Sequence, residues 1–120
     1  MLFRKEHCQR IRIMTKRFIY HPGLYLGEGI EERKLDKIKK RLEKKPLFAN
    51  VYLIVPARNP VDQLEYFDAR QLIQPYYQDA SFLVLGIAAS QGEANELVER
   101  MVQDCLKERG DCKLREYFQC

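Results

Sequence analysis

Residues 80–118 read ASFLVLGIAASQGEANELVERMVQDCLKERGDCKLREYF, and the fold class of the whole chain turns on this stretch. Phe82 to Ala88 is a continuous apolar run, the pattern of a strand covered on both faces rather than wetted on alternate residues. It is therefore expected to lie centrally in a sheet. The segment that follows places Ala94, Leu97, Val98, Met101, Val102, Cys105 and Leu106 at helical spacing on one broad face. Glu96, Glu99, Arg100, Gln103, Lys107 and Glu108 form the opposite, wet face. Ser90, with Glu93 three residues on, makes a capping box that satisfies two orphan amides. Gly110 supplies the left-handed residue that ends a helix, and Lys113 to Phe118 alternates as a second strand. Fully burying each large apolar side chain of that helix contributes roughly 1.5 to 3 kcal/mol before entropy, and this unit is the strongest fold signal in the chain.

The remaining composition bounds the answer. A chain of 120 residues with 46% hydrophobic and 32% charged residues is one globular domain, neither fibrous nor disordered. No apolar run approaches the roughly 20 residues that span a bilayer, and no secretory leader is visible, so a cytoplasmic protein without membrane contact is expected. Cys8, Cys105, Cys112 and Cys120 lie far apart with no C-x-x-C pair, which predicts reduced structural thiols and no metal or other cofactor. Charge is uneven. Residues 1–45 hold 14 Lys and Arg against 6 acids, a balance of +8, whereas residues 46–120 hold 7 against 11, a balance of −4. An anionic partner would therefore meet the amino-terminal part.

Taken in order, residues 1–17 carry Arg4, Lys5, Arg10, Arg12, Lys16 and Arg17 against Glu6 alone and read as a basic arm or edge strand. Residues 18–120 form the domain. His21-Pro22-Gly23 is turn chemistry, followed by a very short strand at Leu24-Tyr25-Leu26, and Gly27-Glu28-Gly29 reads as loop geometry rather than a nucleotide loop. Residues 31–45 form a helix, acidic first and basic last, stopped by Pro46. Leu35, Ile38 and Leu42 give it a narrow apolar stripe, and the Lys-rich remainder is solvated or contacts phosphate groups or an acidic protein. Asp36 and Glu43 are placed to neutralise part of that charge along the helix. Val51 to Val55 is a strand, and Gln63 to Asp68 its antiparallel partner across a longer, mobile loop. Ala69 to Ile73 is one helical turn, and of Tyr76 and Tyr77 only one can easily point inward.

These elements predict an α/β or α+β domain: a mixed sheet of four to five strands flanked by two main helices, in the order α-β-β-(short α)-β-α-β. That succession resembles, in element order alone, the core of the restriction-endonuclease-like nucleases. In that family the second core strand brings an Asp and the third an acidic-x-Lys pair to a metal. Here Asp62, Glu65 and Asp68 lie in or beside the second strand, but Phe82 to Ala88 carries no charge. The resemblance implies at most a metal-dependent hydrolase with a degenerate site. Nucleophilic hydrolysis lacks its parts too, since His7 and His21 are the only histidines and neither Ser81 nor Ser90 sits in a Gly-x-Ser-x-Gly elbow. A Cys8 nucleophile beside His7 fails because adjacent residues of an extended segment point apart.

The expectation is a non-catalytic module that binds another protein or its own copy. The alternative is a nucleic-acid-binding protein that uses the basic arm and the Lys-rich helix. Candidate contact residues are Lys37, Lys40, Arg41, Lys44, Arg58, Tyr76 and Tyr77, with an anion position at Ser90, Gln91 and Gly92, where a strand end meets a helix amino-terminus.

Overall fold

The computed structural model describes residues 17–77 and 80–120. The basic segment 1–16, with His7 and Cys8, lies outside the described residues. Four strands, β1 (Phe18–Leu26), β2 (Tyr52–Pro56), β3 (Leu64–Asp68) and β4 (Phe82–Ala88), form one sheet in the order β1-β4-β2-β3. β4 runs parallel to β1 and antiparallel to β2, and β2 pairs antiparallel with β3. The sheet is mixed, with Phe82–Ala88 inside it as its apolar run requires.

Helices cover both faces. On one side α1 (Leu35–Lys44) and 3₁₀ turns at Pro46–Phe48 and Ala69–Ile73 close over Phe18, Leu53, Val55, Phe67, Val84 and Ile87. On the other, α2 (Gln91–Arg109) and α3 (Leu114–Phe118) bury Ile54, Leu85 and Ala88. The apolar face read from α2 is graded: Ala94, Leu97, Met101 and Cys105 are buried, Val98 and Val102 half-buried, and Leu106 is 50% exposed. Gly86 has a packing reason, because a Cβ there would stand 2.9 Å from the Met101 methyl and 3.1 Å from Ile54. Gly110, at φ 81°, ends α2 as expected, donating its N–H to the Leu106 carbonyl. No helix among the described residues is long and apolar enough to cross a membrane.

Two elements differ from expectation. Lys113 to Phe118, expected as a strand, is the short helix α3. Leu114, Tyr117 and Phe118 also fit the i, i+3, i+4 spacing, and the gap beside α2 accepts them that way, burying Leu114 and Phe118. The second difference is at His21-Pro22-Gly23, which does not break the chain into a turn and a short strand. It is a bulge within the nine-residue β1, where pairing passes from Tyr20–Val84 directly to Tyr25–Gly86. Pro22 has no amide to give a ladder and is tolerated because β1 is an edge strand. His21 then ties the bulge to α3, its Nε2 lying 2.9 Å from the Phe118 carbonyl.

The hairpin loop between β2 and β3 was expected to be mobile, yet it is anchored. The Arg115 guanidinium donates to the carbonyls of Ala57 (2.7 Å) and Asp62 (3.2 Å), and Gln63 bonds to the backbone of Cys112 and Leu114. Of the thiols, Cys105 is buried and Cys112 and Cys120 are exposed, all three free. Burial pushes the Cys105 thiol above its ordinary pKa, with Asp111 adding to the shift. It behaves as a small core side chain.

Candidate functional site: a basic cleft along α1

The rotation of α1 about its axis decides which of its cations share a surface. Leu42 is fully buried, with Leu35 and Ile38 packed beside it, so the residue before each of these lies on one flank of the core stripe. Those residues are Lys34, Lys37 and Arg41. Lys45 extends the row by one more turn. All four are exposed. Lys34, Lys37 and Arg41 line a cleft of about 250 Å³ whose other wall is Gly29, Ile30, Val51 and Ala89, at the carboxyl ends of β1 and β4. Arg41 and Lys45 continue into a more open depression of about 440 Å³, shared with Phe48 and Asn50. Phe48 leaves 62% of its surface in water. Asn50 closes the depression with φ 56°, a left-handed turn that asparagine tolerates.

The charge of this row is largely unneutralised. Lys34 reaches Glu31 at 3.8 Å, but Lys37, Arg41 and Lys45 form no ion pair with another described residue. Asp36 and Glu43, expected to neutralise neighbours along the helix, form none among the described residues either. Lys39 is engaged elsewhere, its Nζ 4.4 Å from the centre of the Tyr20 ring. That ring's hydroxyl is buried without a hydrogen-bond partner among the described residues, and burial, with Glu43 nearby, holds the phenol well above its ordinary pKa. Lys40 and Lys44, singled out from the sequence, are exposed but line neither depression. Lys34 and Lys45, not singled out, do line them. Their signal was their register: each of Lys34, Lys37 and Arg41 immediately precedes an apolar residue of the helix stripe.

The strand-to-helix junction next to this cleft carries an internal anion. Glu93 places its two carboxylate oxygens on the amides of Ala89 (2.8 Å) and Gly29 (2.9 Å), while its own N–H donates to the Ser90 hydroxyl (3.2 Å). The capping box thus reaches back to Ala89 and across to the loop after β1. Gly27-Glu28-Gly29 is shaped for that carboxylate: a Cβ on Gly27 would fall 2.0 Å from Glu93 Oε1. Ser90, Gln91 and Gly92 are exposed beside it, but the two converging amides already hold Glu93.

The remaining sequence candidates lie elsewhere. Asp62 accepts from the Asn59 side chain, and Glu65 accepts from the Arg58 amide. Asp68 caps the following turn and pairs with Arg70, which holds its carboxyl below the usual range. Glu65 and Asp68 are an odd number of residues apart on β3 and face opposite sides. Among the described residues no three His, Cys, Asp or Glu side chains gather as a metal-ligand set. Arg58, Tyr76 and Tyr77 do come together, at the other end of β4 from the basic cleft.

An apolar groove of about 380 Å³ also separates β3 from α2, floored by Leu64, Tyr66, Val98 and Val102 and rimmed by Glu65 and Glu99. No family model matches the chain, and neither a curated protein nor a solved structure does.

Proposed function

We propose that this chain is a non-catalytic binding module whose ligand is single-stranded nucleic acid, held along the Lys34-Lys37-Arg41-Lys45 row. The observation that carries this reading is a row of cations, of which only Lys34 has an ion-pair partner among the described residues, that ends on an exposed aromatic ring. Residues four apart on a helix stand about 5 to 6 Å from each other, so Lys37 and Arg41 are neighbours, with Lys34 and Lys45 flanking them at the two caps of the helix. Such a row suits a polyanion, whereas Phe48 offers a flat face on which any base can stack. An acidic protein surface would use the charges and leave the ring unemployed.

Titration of a labelled oligonucleotide by fluorescence anisotropy tests the reading. Four phosphate contacts give a slope of log affinity on log salt of about −3, a loss of roughly fifty-fold between 50 and 200 mM salt. Absence of binding even at low salt, to DNA and to RNA, ends it.

A second reading is a protein-binding or self-associating module. It is favoured by the groove between β3 and α2, because β3 is an edge strand and the groove floor is apolar. Sedimentation at high micromolar concentration is expected to give a dimer if the groove serves a second copy. A monomer there removes self-association.

A further inference from the structure

The loop after β2 and the turn before β4 bring Arg58 against three aromatic rings, its Cζ lying 5.1 Å from the centre of Tyr76, 5.0 Å from Tyr77 and 5.2 Å from Phe82. Tyr77 and Phe82 are accounted for by the core, since Tyr77 stacks on Phe67 at 5.2 Å and Phe82 is buried. Tyr76 is not. It stands edge-on to Tyr77, with centroids 4.9 Å apart, and is 71% exposed. The Arg58 guanidinium forms no ion pair with another described residue. An arginine beside aromatic rings keeps a fork of N–H donors suited to an oxyanion.

Arg17 lies in the same place. Its guanidinium donates to the carbonyls of Leu72, Tyr77 and Ala80. Arg17 and Arg58 thus both approach the Phe82 ring, at 5.9 and 5.2 Å from its centre, from separate parts of the sequence.

We propose that Tyr76 and Arg58 are a second contact for the strand held along α1: Tyr76 stacks an unpaired base and Arg58 holds the adjoining phosphate. This inference rests on the nucleic-acid reading and adds a contact to it. The two contacts sit at opposite ends of β4, about 20 Å apart for a seven-residue strand, a span that a short single strand covers.

The test uses the full chain and two labelled probes of about twelve nucleotides, an oligothymidylate and an abasic phosphodiester of equal length. Tyr76→Ala is expected to weaken oligothymidylate binding by about five-fold or more and to leave the abasic probe unaffected, since stacking needs a base. Tyr76→Phe, which keeps the ring, is expected to bind both probes as the parent does. Equal binding of oligothymidylate by parent and Tyr76→Ala overturns the stacking contact and leaves the α1 row standing. Equal weakening for both probes also overturns it, because the effect is then not on a base. A parent chain that binds neither probe at low salt overturns both the contact and the reading beneath it.

Discussion

Replacing Lys37 and Arg41 together by glutamate is expected to abolish most oligonucleotide binding while leaving the fold intact. Both side chains are exposed, line the cleft and form no ion pair with another described residue, so their reversal breaks no described salt bridge. Each reversal changes a contact by two charges. At about 4 Å in water that is worth about 2 kcal/mol, and screening leaves about 3 kcal/mol for the pair, roughly a hundred-fold in affinity. The salt slope should fall to about half, because Lys34 and Lys45 remain. Lys107→Glu, on the wet face of α2, serves as the control and is expected to change affinity little. The helix macrodipole makes Arg41→Glu slightly unfavourable near the end of α1, by about 0.5 kcal/mol, a loss a urea melt separates from a binding effect.

The second large effect is on stability. Leu97→Ala is expected to cost about 3 kcal/mol in urea denaturation, because Leu97 is 1% exposed and stands over Gly86 on the central strand. Leu106→Ala, which removes the same atoms from the same helix, should cost under about 0.5 kcal/mol, since Leu106 is half in water. Equal losses at the two positions would contradict the packing of α2 described above. The comparison is informative because the sequence alone places both residues on one apolar face.

That pair also marks how far the sequence could be read. The strand Phe82–Ala88, its following helix, the glycine that ends that helix and the β2–β3 hairpin all follow from local patterning, because in each the propensity and the burial agree. Lys113 to Phe118 was misread because six residues satisfy both periods, and only the space beside α2 chooses between them. β1 was misread because turn residues at an edge can bulge instead of turning, and edge position is a tertiary fact. The basic cleft was half legible. The sequence supplies the cations, but their grouping depends on how Leu42 seats α1, and their freedom depends on Asp36 and Glu43 making no ion pair with described neighbours. The Glu93 cradle needs Gly29, sixty-four residues away in the chain. No local pattern reaches that far.

The centre of the fold and the proposed centre of the function are accordingly distinct. α2 and β4 are explained by packing, whereas the row on α1 gains nothing for the core by its charge. The measurement that bears most directly on this division is amide chemical-shift mapping of the ¹⁵N-labelled chain during addition of oligothymidylate. Shifts are expected at Lys34, Lys37, Arg41, Lys45, Phe48 and Asn50, with the groove residues Leu64, Tyr66, Val98 and Val102 unmoved. Saturating shifts confined to that groove, or no shifts at all at low salt, would contradict the account.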